Sequence, residues 1–268
     1  MSISKRLEEA RSGYAKKDVK QSSHAHDPAR IAQAAREEHG GASHQYLGDM
    51  VYGGLDGIIT TFAVVSGVAG AALGSGVVVI LGLANLFADG FSMATGAYLS
   101  TKSDQEYYQR EWQREAWEVE HFPEGERAEL YEVYLTRGYS EQEAGQLVEI
   151  QTREPRRWVK AMMVDELGMM KDERKPQLSA LATLVAFILA GSVPLIVYLL
   201  GLFTVISPRI SFPVSVLLSA LALFALGASK VLVTERNPWK SGLEMLLVGS
   251  LAAGVAYIVG LLLRGLGG

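Results

Sequence analysis

"GAYLSTKSDQEYYQREWQREAWEVEH" (residues 96–121) begins apolar and ends crowded with charge, and after Gly96 it contains neither glycine nor proline. Nothing in it stops a helix before Pro123. The residues leading into it, 77–100, form an apolar run of roughly the 20 residues that cross a bilayer as a helix. Together they predict one helix from about residue 78 to about 120, on the order of 60 Å long at 1.5 Å per residue. The hydrocarbon core takes about half of that length. The remainder has to stand in water as a charged stalk.

Outward from the stalk, four more apolar runs appear, at 51–73, 178–204, 212–234 and 243–263. The predicted fold is therefore all-α: an integral membrane protein with five transmembrane helices and a three-helix domain inserted between helices two and three. The chain divides into an N-terminal arm (1–45), spans one and two (46–100), the insert (101–176) and spans three to five (177–268). Spans one and two are joined only by "LGSGV", a tight helical hairpin, and their many Gly and Ala residues suit close helix packing in lipid. The arm is polar throughout and reads as a flexible segment with one amphipathic helix; no signal peptide is expected there.

Charge sets the expected orientation. Eight Lys and Arg residues precede residue 50, twelve lie in 101–176, and three lie near "KVLVTERNPWK", against only Arg209 and Arg264 on the other side. The positive-inside rule then places the N-terminus and the insert in the cytoplasm. A net charge of −4 with no basic face excludes nucleic acid as a partner. The absence of cysteine excludes disulfides, thiolate metal sites and cysteine nucleophiles.

The insert holds 18 of the 29 acidic residues. Pro123 breaks the stalk, and Glu124 to Thr136 reads as a short helix stopped by Gly138. Ser140 and Glu143 form a capping box for a second helix. Pro155 opens a third helix, which carries "KAMMVDELGM" (160–169). Glu115 and Glu118 are three apart and share a helix face, and Glu126 and Glu129 repeat the spacing. Met162 and Met163 lie within a turn of Glu166, while Asp165 falls off that face. Carboxylates with thioethers suit a divalent transition metal better than Mg²⁺ or Ca²⁺. Taken singly, paired Glu on a charged helix is ordinarily a solvated face and adjacent Met ordinarily core. Glu118 and His121 fit the Glu-x-x-His of di-iron bundles, but His121 is the only histidine outside the arm, so a second such motif is missing. His24 and His26 form a His-x-His on which nothing else converges.

Within the spans, ionisable side chains are costly and read as functional. Asp56 sits near the cytoplasmic end of span one. Asn85, Asp89 and Met93 lie four apart on span two, a single helical stripe of amide, carboxylate and thioether. Such a stripe could pass a dehydrated cation, with Asp56 and Asp89 exchanging metal for protons. Lys230, Glu235 and Glu244 read as anchors at span ends.

The chain closely resembles the vacuolar iron transporter family over about residues 45–265. The residues that carry the resemblance are "DGIITTFAVVSGVAGA", "GLANLFADGFSMATGAYLSTKSDQEYYQRE", "EVEHFPEGERAEL", "PRRWVKAMMVDELGM" and "NPWKSGLEMLLVGSLAAGVAYIVG". The resemblance, to a bacterial member of the type with a cytoplasmic metal-binding domain, implies a homodimer with an ion path near its interface. It also implies Fe²⁺/H⁺ antiport out of the cytosol, for detoxification or storage. By it, the domain ligands fall on Glu115, Glu118, Glu126, Glu129, Met162, Met163 and Glu166, and the pathway positions on Asp56 and Met93. Some relatives carry glutamate where this chain has Asn85, and Asp89 one turn on could supply that carboxylate. Fe²⁺ would be the substrate, with no tightly bound cofactor and no covalent chemistry. The membrane would be the cell membrane of a bacterium or the vacuolar membrane of a eukaryote. The rival readings are an exporter chiefly of Mn²⁺ and a membrane-anchored iron sensor or buffer without transport.

Overall fold

The structure is a computed structural model that describes residues 5–34, 45–204, 206–229 and 237–266. Its helices in chain order are α1 (Lys5–Lys16), α2 (Val19–Ala25), α3 (Pro28–Ala34), α4 (Leu47–Gly70), α5 (Ser75–His121), α6 (Pro123–Thr136), α7 (Glu141–Gln151), α8 (Pro155–Ala161), α9 (Pro176–Gly191), α10 (Ile196–Leu200), α11 (Pro208–Ser229) and α12 (Pro238–Leu262). Five stretches are long and apolar enough to cross a membrane: α4, α5, α9 with α10, α11 and α12. The protein is thus an all-α integral membrane protein, multi-pass as predicted. The arm carries three short helices where one was expected, and Glu9 ties them together by accepting from His24 (2.8 Å) and Arg30 (2.6 Å). Lys230 and Glu235 lie outside the described residues.

The chain separates into two compact units, one of residues 1–97 with 177–268 and one of residues 98–176. In the first, α4 packs between α9 and α12 by presenting glycine to each. A Cβ on Gly53 would meet the Thr183 carbonyl oxygen at 2.6 Å, and one on Gly57 would collide with that of Phe187. At its end, α4 does the same to α12 at Gly70, where a Cβ would collide with the Tyr257 carbonyl oxygen. Lipid offers no hydrophobic drive between helices, so this closeness, and the dispersion contact it allows, is what holds them. Gly57→Leu is accordingly expected to cost about 1–3 kcal/mol or more, the usual range for overpacking. A lower midpoint of thermal aggregation in detergent would record it.

The third span is not the single run 178–204 that the sequence predicted. It breaks after Gly191 into a 3₁₀ turn, Val193–Leu195, before α10. Pro194 has no N–H to continue the ladder. Its carbonyl instead accepts from the buried Ser215 hydroxyl of α11 at 2.6 Å, which satisfies a backbone group that lipid cannot.

In the second unit, α5 runs unbroken to His121, and Phe122 turns the chain into α6. Gly138 takes a left-handed φ of +94° just beyond α6, where a side chain would be strained. The Ser140–Glu143 capping box is present on α7. The core is Val119, Leu130, Tyr134, Val148, Trp158 and Met162 with their neighbours. The third insert helix is shorter than predicted. After Ala161 it widens into a π-helical turn, Met162–Glu166, closed by the Leu167 N–H on the Met162 carbonyl at 3.1 Å. The chain then returns along α5, where the Gln105 amide donates to the carbonyls of Asp172 (3.1 Å) and Arg174 (2.6 Å).

Candidate functional site

The break at Phe122 folds α6 back beside the end of α5, and its first turn carries Glu124 and Glu126. Acidic residues are favoured there by the helix dipole. Glu126 therefore meets Glu115 and Glu118, which share a face of α5. One carboxylate oxygen from each of the three lies within 4.8 Å of the others. Two oxygens on opposite sides of one divalent ion are about 4–5 Å apart, so the spacing is that of ligands on a shared cation. Glu115 is 1 % exposed and Glu126 is 4 % exposed.

Burial first, then the charges of Glu166, Glu118 and Glu129 against the relief from Arg114, pushes Glu115 up to about 7. Burial and then Glu115, Glu129, Glu118 and Glu166 push Glu126 up to about 8. Glu166 is raised too, by partial burial and then by Glu129. Five predicted carboxylates thus share one field. The Glu126 Oε2 atom is buried without a hydrogen-bond partner among the described residues. A buried acceptor of this kind is costly unless something arrives to pair with it.

The other predicted residues divide. Glu129 and Glu166 lie on the exposed side of the cluster, whereas Met162 and Met163 are fully buried and belong to the apolar core. Asp165 is held away by Arg137 (2.5 Å). His121 is exposed, stacked on Trp117, with Nδ1 against the Trp117 carbonyl at 2.8 Å, and it takes no part in the cluster. His24 and His26 face different partners, Glu9 and the Ser22 carbonyl. Two residues outside the predicted set sit beside the cluster, Arg114 and Glu111. Arg114 bridges Glu115 (2.5 Å) and Glu118 (2.5 Å) and also reaches Glu111 (3.0 Å). The spacings of Glu111 (i−3) and Glu118 (i+4) from Arg114 are legible in the sequence, whereas its contact with Glu115, the next residue, is not.

In the first unit, Asp56 on α4 and Asp89 on α5 are close enough for their charges to repel. Asn85 sits a turn before Asp89 with its buried Nδ2 unpartnered among the described residues. Met93, a turn beyond, packs against the cluster that includes Val65, Val68 and Phe187.

The fold and these sites define a multi-pass, all-α membrane protein with a carboxylate cluster of metal-ligand type outside its spans. Residues 47–261 match the model of the VIT family. The chain is 36% identical to a vacuolar iron transporter of Toxoplasma gondii, over 96% of this chain and 88% of that one. It is 32% identical to one from Plasmodium falciparum over 98% of each. Against vacuolar iron transporter 1 of Arabidopsis thaliana the identity is 33%, over 78% of this chain and 82% of the relative. The chain belongs to the VIT family.

Proposed function

We propose that this protein moves Fe²⁺ out of the cytosol in exchange for protons, with Mn²⁺ as a lesser substrate. The observation that carries the reading is the Glu115–Glu118–Glu126 cluster, whose oxygens lie within 4.8 Å and whose Glu126 Oε2 has no partner among the described residues. The relatives named as iron transporters support iron as the cargo. Glu129 and Glu166 complete the loading site, and the thioethers of Met162 and Met163, which sit in the core of the same unit, join it by turning toward the carboxylates; sulfur favours Fe²⁺ over Mn²⁺ and Mg²⁺. The Lys and Arg distribution supports a cytoplasmic N-terminus and a cytoplasmic loading site. Asp56 receives the ion, and Asp89, Asn85 and Met93 line its way, with the path formed at the interface of a homodimer. Protons from the far side release the metal, because both compete for the same carboxylate lone pairs.

Proteoliposomes test this directly. A pH gradient should drive Fe²⁺ uptake, and excess Mn²⁺ should slow it only partly. Full inhibition by equimolar Mn²⁺ would make manganese the main cargo. Binding without uptake would make the protein a membrane-anchored buffer.

A further inference from the structure

Arg114 occupies an unusual place for a cation at a cation site. Its Nη1 and Nη2 atoms each hold one of the clustered carboxylates, Glu118 and Glu115, at 2.5 Å. These are two of the three residues whose oxygens converge. Each contact is a charge-assisted bond, roughly twice as strong as a neutral one. Yet the Arg114 side chain is 44% exposed, so it can swing outward without unpacking the core. Its Nε atom is 3.0 Å from Glu111, one turn back on the same helix and outside the cluster.

We infer that Arg114 is a resident cation of the loading site, one that an arriving metal must displace onto Glu111, and that it thereby screens out ions that bind through oxygen alone. The inference rests on the reading of the cluster as the loading site. With Arg114 in place, the site offers not bare carboxylates but two that share its single positive charge. An incoming ion must replace two charge-assisted bonds. Mg²⁺ sheds its water reluctantly and gains nothing from sulfur. Fe²⁺ gains from softer ligands as well, so the same barrier costs it less of its net affinity. Glu111 keeps the displaced guanidinium within reach. When the metal moves on, Arg114 returns and closes the site to its re-entry.

The test uses the full-length protein in detergent, titrated anaerobically with Fe²⁺ against a competing chelator, with and without millimolar Mg²⁺. Circular dichroism and gel filtration establish that each variant is folded. Arg114→Gln should bind Fe²⁺ about tenfold tighter than wild type, equivalent to roughly one lost competing contact. Mg²⁺ should leave Fe²⁺ binding by wild type unchanged and should weaken it in Arg114→Gln. Arg114→Lys, which keeps the charge and loses the fork, should fall between the two. A folded Arg114→Gln with wild-type or weaker affinity would overturn the inference, as would equal Mg²⁺ sensitivity in all three. Glu126→Gln separates the two levels. If it abolishes Fe²⁺ binding while Arg114→Gln behaves as wild type, only the role of Arg114 falls. If Glu126→Gln binds Fe²⁺ normally, the loading site itself is misplaced and the inference falls with it.

Discussion

Asp56→Ala should reduce proton-driven Fe²⁺ uptake into liposomes by on the order of 100-fold, the ratio that follows from losing about 3 kcal/mol of charged contact. An ion entering the spans sheds water and needs a formal negative charge at its first stop. The described parts of α4 beyond its first turn contain no other carboxylate, and Asp89 is the acid whose charge reaches Asp56. Asp89→Asn should slow transport less, because Asp56 remains. Fe²⁺ binding at the carboxylate cluster should be unaffected in both variants, which separates loading from passage. Transport by Asp56→Ala at the wild-type rate would show that the ion enters elsewhere.

Glu126→Gln should have two effects of opposite sign. Fe²⁺ affinity should drop by about 100-fold, because a buried, otherwise unpartnered ligand oxygen is lost. The metal-free protein, however, should become more stable near neutral pH. In the folded state Glu115 and Glu126 sit at about 7 and about 8, above the ordinary carboxyl range. Their protonated forms therefore favour the folded state. That contribution is full below about pH 4.5 and is lost as pH rises through 7 and then 8. The cluster is therefore strained when both groups are ionised. Metal-free wild type should accordingly lose thermal stability between about pH 4.5 and about pH 8 and level off above that, and Fe²⁺ should restore it. Glu126→Gln should flatten that profile. Over the same range Fe²⁺ affinity in wild type should climb with pH, since the metal displaces protons. A variant that lost affinity together with stability would indicate an ordinary structural role for Glu126.

The sequence made much of this legible for plain physical reasons. A bilayer crossing leaves an unmistakable run of apolar residues, and the unbroken stretch after Gly96 required a helix that outlasts the membrane. Ser140 with Glu143, Pro155 and Gly138 punctuate the insert by rules that act within a few residues, and all three hold. The break at Pro194 was harder to see. A proline inside an apolar run is tolerated or not according to how the backbone groups at the break find partners, and Ser215, which bonds the Pro194 carbonyl, is 21 residues away. The π-helical turn at Met162–Glu166 was equally hidden, since no residue in "MMVDE" demands it. It puts Met162 and Met163 into the core beside Leu130 and Trp158. At the carboxylate cluster, spacing along α5 paired Glu115 with Glu118. Only the fold shows Glu126 joining them. Arg114 was overlooked because a basic residue among acids on a stalk reads as a solvated ion pair, and its contact with a nearly fully buried Glu115 emerges only in three dimensions.

The most direct measurement records Fe²⁺ and luminal pH together in proteoliposomes given an inward Fe²⁺ gradient and no initial pH difference. The expected result is Fe²⁺ entry accompanied by alkalinisation of the lumen, with both signals lost in Asp56→Ala. Fe²⁺ entry without any change in luminal pH would contradict proton exchange, and binding without entry would contradict transport itself.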